Sequence, residues 1–458
     1  MSDPVLLWLR RDLRLSDQRA LVAAAHEGPV VPVYVLDDDT AQHRKMGAAS
    51  RWWLHHSLKS LDASLREKGS RLILRRGRCE EELAQVAEAM GATRVHCIRH
   101  YEPWWRNAER AVAKVLDLCC HDGNYLRPPG MVTTQSGDPY KIYTPFWRAL
   151  KEVMPPDEPL DRPHRIDAPD QWPESDDLDD WKLLPTSPNW AKGFSDWEPG
   201  ESGARKRIDA FLNAAAEYDG QRDLPGVEGT SRLSPHLHFG EVSPGYVWHR
   251  TADAGGSVDV FLGELGWRDY AQNVILQFPK YASKNARERF DDFDWRDFRS
   301  STVRDEFDAW KAGRTGYPIV DAGMRQLWAT GWMHNRVRMI AASFLIKHLL
   351  IDWREGEKWF WDTLVDADYA SNATNWQWVS GTGIDSNMFG RIMAPLKQSE
   401  KFDAANYIRQ WVPELADLSD AVIHDPEAAG CRPDDYPEKL IGHKQARERA
   451  LAANSKIR

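Results

Sequence analysis

Several things are scarce in this chain, and each scarcity removes a class of protein. Only five cysteines occur in 458 residues, at Cys79, Cys97, Cys119, Cys120 and Cys431. They form no Cys-x-x-Cys pair and no even framework, which argues against zinc, an iron–sulfur cluster or a disulfide scaffold and for a reducing compartment. No apolar run approaches the roughly 18–20 residues that span a bilayer, and residues 5–9 are too short, and too soon followed by arginines, for a signal peptide. A soluble, cytoplasmic protein with no membrane partner is expected, and a monomer. Glycine is missing where a dinucleotide would need it: the first apolar run leads into Arg10-Arg-Asp-Leu-Arg14, which argues against NAD. Gly381-Thr-Gly383 fails as a phosphate turn too, because Ser386 stands where a third glycine should be. Positive charge is also short. A net charge of −9 excludes an indiscriminate coat for nucleic acid, so any such role must rest on a local basic patch.

What is present begins with a hydrophobic content of 42%, enough to bury two or three domains at this length. Strand and helix signals alternate through residues 1–130. Residues 5–9, 30–36, 72–74 and 95–98 read as strands; 17–25 (capped by Asp17), 50–68 and 80–90 read as helices, the last stopped by Gly91. This predicts a doubly wound parallel α/β sheet. Residues 131–199 are crowded with proline and acidic runs and form a connector expected to wrap both domains, with one helix near 144–153. From 200 to 458 strand signals almost vanish, so the second domain is all-helical. Tryptophan is the compositional anomaly, with 22 against 14 Phe and 13 Tyr; it packs cores, but it also stacks bases and carries electrons.

The stretch 321–378 concentrates unusual chemistry. Apolar residues at helical spacing predict one long helix over 332–351. A second strip of it is polar, with Asn335, Arg336 and Met339 three and four apart. Then come Asp366-Ala-Asp368, Asn372 and Trp376-Gln-Trp378. A calcium loop fails here, since Ala370, Ser371 and Gln377 occupy the third-ligand, glycine and bidentate-Glu positions. A polar, aromatic-lined pocket for a large planar ligand remains. Upstream, Tyr218-Asp-Gly-Gln-Arg222 precedes Thr230-Ser-Arg-Leu-Ser-Pro-His236, hydroxyls that serve either as phosphate donors at a helix start or as an ordinary cap. Glu264 stands four residues before Arg268, a pairable spacing that on a solvated face is only a surface ion pair.

The motifs LWLRRDLRLSD, TSRLSPHLHFGE, ELGWRDY, TGYPIVDAGMRQLWATGWMHNRVRM, LLIDWREGE, DADYASNATNWQW and HKQARERALA resemble the photolyase/cryptochrome family over essentially the whole chain, most closely bacterial cyclobutane pyrimidine dimer photolyases. The resemblance implies an FAD in the helical domain and a flipped-out dimer in damaged DNA as substrate, split by an electron from the photoexcited reduced flavin. It implies that Tyr218, Thr230, Ser231, Arg232, Leu233 and Ser234 hold phosphates and ribose, and that Phe261, Glu264, Arg268 and Asn335 line the adenine and ribityl side. Asp366, paired with Arg338, and Asp368 would contact the flavin and its ribityl chain, and Asn372 would lie beside N5, where an amide tolerates a reduced anion that a carboxylate would repel. Trp267 and Trp378 would flank the dimer; Glu264, Asn335 and Met339 would touch it; Arg222, Arg336 and Arg391 would anchor phosphates. Trp376, Trp353 and Trp295 would carry electrons from the surface to the flavin, with Trp310 an alternative surface end. An antenna pigment (methenyltetrahydrofolate, a deazaflavin or another flavin) or none is implied near His100-Tyr-Glu-Pro-Trp104, and Trp104 and Trp105 could equally fill that cleft. The segment 386–394 departs from the family pattern at the pocket rim. Two rival functions are a cryptochrome-type light sensor, which commonly has a long C-terminal extension where only short helix-like residues follow His443 here, and a (6-4) photolyase, expected to carry paired histidines where this chain has His334-Asn335.

Overall fold

The computed structural model describes residues 3–40, 43–252, 254, 258–386 and 388–457. Five parallel strands, β1 (Val5–Leu9), β2 (Val30–Leu36), β3 (Ile73–Arg76), β4 (Arg94–Ile98) and β5 (Asp117–His121), form one sheet in the order β3-β2-β1-β4-β5. The two central strands are buried along their whole length, as a sheet with both faces covered requires. Pro32 is tolerated because β3 pairs only from Val33 onward, so its missing N–H falls where β2 is paired with β1 alone. The strand β5 reads Asp-Leu-Cys-Cys-His and carries no apolar run, which is why periodicity does not reveal it; as an edge strand it needs none.

The crossovers are α1 (Arg19–Glu27), α2 (Ala48–Arg66), α3 (Cys79–Met90) and α4 (Pro103–Val112). Asp17 does not cap α1. Gln18 does, accepting from the Ala20 N–H, while Asp17 sits at positive φ and accepts instead from Leu160 N–H and the Ser243 hydroxyl. The connector contains α5 (Tyr143–Glu152) and lies against both halves. Its Leu160, Ile166 and Asp176 backbones bond to the sheet side, and the Trp197 indole donates to Thr330 O at 2.8 Å.

Fourteen helices follow among the described residues, α6 (Glu201–Leu212), α7 (Tyr218–Gln221), α8 (Ser234–His238), α9 (Pro244–Ala252), α10 (Asp259–Gln277), α11 (Ser301–Lys311), α12 (Pro318–Thr330), α13 (Asn335–Ser343), α14 (Trp353–Thr363), α15 (Tyr369–Ser380), α16 (Pro395–Lys401), α17 (Ala405–Trp411), α18 (Asp420–Ile423) and α19 (His443–Ser455). The single helix expected over 332–351 is shorter at both ends. The His334 ring caps α13 by accepting from Arg336 N–H, and a π turn over Phe344–His348 closes on Leu350 at φ +55°. Core residues from β1, β2 and β4 belong to the same apolar cluster as Tyr218, Phe261, Tyr270 and Tyr369, so the two halves share a core. Polar bonds join them as well: the Trp53 indole donates to Glu241 at 2.9 Å, and the Arg14 guanidinium donates to Gly240 O at 3.0 Å.

Candidate functional site

The polar strip of α13 and the motif after Asp366 meet. On α13 the three- and four-residue spacing places Asn335, Arg338, Met339 and Ala342 on one face. On α15, started by Asp368 accepting from Ser371 N–H at 2.8 Å, the same spacing aligns Ser371, Asn372, Asn375, Trp376 and Val379. These residues, with Phe360, Leu364 and Asp366, line one cavity. Arg338 donates to Asp366 Oδ2 at 2.8 Å and to Met333 O at 2.7 Å. The other carboxylate oxygen, Asp366 Oδ1, is buried with no partner in the protein, and a buried acceptor of that kind awaits a donor. Asn372 commits its amide nitrogen to Glu357, at 3.1 Å to the carbonyl and 2.9 Å to Oε1, so its carbonyl oxygen is the end left for the cavity.

A second cluster lies across α7, α10 and α13. Arg222 pairs with Glu264 at 2.5 Å and covers the Tyr218 ring, which meets Phe261 edge-on. Burial pushes the Glu264 carboxyl upward, and Arg222 opposes it. Arg336 pairs with Asp223 at 2.7 Å and points its other nitrogen at the Met339 sulfur, 3.8 Å away. The pairing of Glu264 with Arg268 does not form. Arg268 instead donates to Asn124 O and Leu237 O and covers Tyr125, tying α10 to the loop after β5. Trp267 and Trp378 are each half-buried on the packed helices α10 and α15. Around residues 230–234, Arg232 takes positive φ and pairs with Glu228 at 3.1 Å, Ser231 Oγ accepts from Leu233 N–H, and α8 is a single short turn.

Residues 261–456 match the family model described as the FAD binding domain of DNA photolyase, and residues 5–164 match the one described as DNA photolyase. The chain is 47% identical to a deoxyribodipyrimidine photo-lyase of Agrobacterium fabrum, over 99% of this chain and 98% of that protein. The chain belongs to the DNA photolyase family. In three dimensions it is similar to a bacterial class III photolyase from Agrobacterium tumefaciens, with a TM-score of 0.94, 47% identity and coverage of 100% of this chain and 98% of that one. An archaeal photolyase from Sulfolobus tokodaii, solved with two FAD molecules, gives a TM-score of 0.85 at 29% identity, covering 99% and 100%.

Within this photolyase-family chain, Trp376 is buried on α15 and meets Phe360 at 5.0 Å and Trp310 at 6.5 Å, both edge-on. Trp353 is fully buried and donates to Asn285 Oδ1 at 3.0 Å. Trp295 is half-buried against Phe293 and Phe389. Trp310 is fully buried and donates to Ala341 O, so it does not serve as a surface end. Arg391 is exposed on a turn whose carbonyl accepts from Lys347. In the divergent 386–394 segment, Phe389 packs into the helical core and Met388 is exposed; Asn387 lies outside the described residues.

The aspartates separate in role. Asp366 faces the cavity, whereas Asp368 caps α15 and lies 3.7 Å from Arg11 and 3.9 Å from His238. Against the burial that would raise it, His238 and Arg11 hold that carboxyl well below the usual range. Near them Trp104, Trp105, Trp361, Tyr34, Arg44 and His43 line a cleft between the α/β and helical parts. Of the expected antenna segment only Trp104 reaches it; His100 is buried 3.6 Å from Asp12. Reading the sequence singled out neither Arg44, Asp223 nor Tyr143. Glu357 sits inside the LLIDWREGE motif but was not distinguished there, because its partners are distant in the chain.

Proposed function

We propose that this protein binds FAD in the cavity between α13 and α15 and uses light to split cyclobutane pyrimidine dimers in DNA. The observation that carries the reading is the joint lining of one cavity by Asn335, Arg338, Met339, Asp366, Asn372 and Trp376, with the buried Asp366 Oδ1 left without a partner. These residues suit a flavin: a lone carboxylate acceptor, an amide oxygen, a guanidinium beside it and aromatic rings. Bound there in reduced form, FAD would supply light-driven one-electron chemistry for opening the cyclobutane ring. The protein's share is orientation and exclusion of water. Asn372 offers an acceptor rather than a charge to the N5 side, Arg338 and Asp366 bind the polar flavin and ribityl atoms, and the segments with Tyr218, Thr230, Ser231, Leu233 and Ser234 hold the phosphates. Asp368 serves instead to start α15 and to tie it to Arg11.

A stacked base pair cannot present its double bonds to this cavity, so the dimer must be extruded, and a damaged, poorly stacked pair costs least to extrude. Trp267 and Trp378 would flank it, with Glu264, Asn335 and Met339 in contact and Arg222, Arg336 and the exposed Arg391 on phosphates. No helix of the described residues is long and apolar enough to cross a membrane, and a cytoplasmic monomer fits the reading. The cleft lined by Trp104, Trp105 and Trp361 is the place for a second chromophore, and an absorption band beyond those of flavin would reveal one. His334 spends its Nδ1 on the cap of α13, and the next residue is Asn335 rather than a second histidine, which disfavours a (6-4) repair role. The deciding experiment illuminates the reduced, FAD-loaded protein with dimer-containing DNA. Dimers are expected to disappear under near-UV or blue light and not in the dark; unchanged dimer content under light would favour a sensor.

A further inference from the structure

Behind Asn372 stands a relay that reaches into the other half of the protein. Asn372 Nδ2 donates to Glu357 Oε1 at 2.9 Å, and Glu357 is 2% exposed. Its two carboxylate oxygens accept from Arg44 Nη1 and Nη2 at 2.9 and 2.8 Å. Arg44 belongs to the loop between β2 and α2, not to the helical domain. That loop and the first residue of α2 are pinned on α14 at four points: the Arg44 guanidinium lies 3.9 Å over the Trp361 ring, the Trp361 indole donates to Lys45 O at 2.8 Å, Ala48 N–H donates to Asp362 Oδ1, and the Gly47 backbone presses so closely on α14 that a Cβ there would fall 2.1 Å from Trp361 O.

We propose that Arg44 is a positioning residue for the flavin site, fixing the Glu357 carboxylate so that Asn372 presents its carbonyl oxygen, and not its NH2, to the cavity. An amide has no preferred end of its own; its neighbours decide. An ionised carboxylate only accepts, so it takes the Asn372 nitrogen and turns the oxygen outward. A carboxylate buried to this degree stays ionised only with a cation on it, and the bidentate guanidinium is that cation. Without Arg44, the Glu357 carboxylate loses the cation that fixes both its oxygens, the Asn372 nitrogen is no longer held against it, and the amide turns its NH2 toward the cavity. A donor there favours oxidised flavin, whose N5 accepts, over reduced flavin, whose N5 carries a hydrogen. Glu357→Gln leads to the same outcome by another path: Arg44 claims the one remaining oxygen, leaving the new NH2 to face Asn372.

The proposal rests on FAD occupying this cavity, and one experiment separates the two. Full-length wild-type, Arg44→Gln, Arg44→Lys, Glu357→Gln and the Arg44→Gln/Glu357→Gln double variant are loaded with FAD and titrated spectroscopically against a redox indicator. Both Gln variants are expected to shift the flavin toward the oxidised form by about tenfold, about 30 mV for a two-electron couple. Arg44→Lys should lie between them and wild type, and the double variant should move no further than the larger single change. A merely packing role for Arg44 would lower thermal stability and FAD retention while leaving the potential of the bound flavin unchanged, and that result overturns the proposal. Should Arg44→Gln retain no FAD, Glu357→Gln and Arg44→Lys decide it, a wild-type potential in both being the contrary result. A wild-type protein that binds no FAD would instead refute the flavin reading itself.

Discussion

The Tyr143 phenol lies parallel to the Trp267 indole, with centroids 3.5 Å apart and planes 12° from parallel. Tyr143 comes from the connector and Trp267 from α10. They meet because Gly263 and Gly266 leave the near face of α10 bare: the Tyr143 hydroxyl donates to Gly263 O at 2.7 Å, and a Cβ on Gly266 would fall 2.5 Å from the Trp147 ring. Asp385 accepts from Tyr143 N–H at 2.7 Å and so fastens the start of α5 to the chain beyond α15. One face of Trp267 is thus occupied, and the half-buried ring is held rigidly for a partner on the other.

That arrangement separates two kinds of DNA contact. Trp267→Ala should weaken binding of dimer-containing DNA by about 1–3 kcal/mol and leave undamaged duplex nearly unaffected. Arg336→Ala should weaken both alike and flatten the salt dependence, as loss of a phosphate contact does. Binding titrations on matched damaged and undamaged duplexes at two salt concentrations test this, and equal effects of the two substitutions on both DNAs would refute the assigned roles.

Reduction of the flavin and repair of the dimer should be separable at Trp376. Short hops between aromatics outrun one long jump, and Trp376 is the ring of the proposed chain that lines the cavity. Trp376→Phe is expected to stop photoreduction of oxidised FAD while a chemically reduced sample still repairs dimers at near the wild-type rate. Photoreduction at the wild-type rate would show that electrons take another route.

Gly356 gives Trp376 its room. A Cβ at position 356 would fall 2.1 Å from the Trp376 ring and 2.6 Å from Leu345 Cδ2, so Gly356→Ala must displace the indole. We expect a loss of about 1–3 kcal/mol of stability, measured by denaturant unfolding, together with slower photoreduction. A variant as stable and as quickly photoreduced as wild type would place the ring elsewhere.

Buried Asp269 makes stability depend on pH. Burial pushes its carboxyl up to about 7 from 3.8, despite Arg268 nearby and the Arg127 N–H that donates to it. With the folded value raised, the unfolded chain releases this proton first, so stability falls as pH rises from about 4 to about 7 and the full cost is present above that range. Asp269→Asn keeps an acceptor for Arg127 and removes the charge. Its stability relative to wild type should therefore grow between about pH 5 and pH 8, by about 1–3 kcal/mol; a constant difference across that range would contradict the shift.

Much of this was legible in the chain itself. Continuous apolar runs at Val5–Leu9 and Val30–Leu36, too short for helices and alternating with helical patterns, read as inner strands of a covered parallel sheet, and both are buried along their length. Helical spacing likewise put Asn335 and Met339 on one face, but with Arg336 as their guanidinium, where the structure brings Arg338 to the cavity and turns Arg336 to Asp223; the ordered motifs from Asp366 to Trp378 carried the family. Local rules failed where a distant group competed. Asp17 had a cap's position but was taken by Leu160 and Ser243; Glu264 had Arg268 within reach but found Arg222; Asp368 was drawn to Arg11 and His238 while its neighbour Asp366 kept the cavity; Trp310 is buried among Phe307, Phe360 and Trp376. Each choice turned on which charged or aromatic side chain lay nearest in space, at separations of up to 357 positions between Arg11 and Asp368. Periodicity reports which face of an element is buried, because burial repeats with the backbone. It carries no information about what stands opposite, so the relay from Arg44 through Glu357 to Asn372 came into being only when the loop after β2 docked on α14.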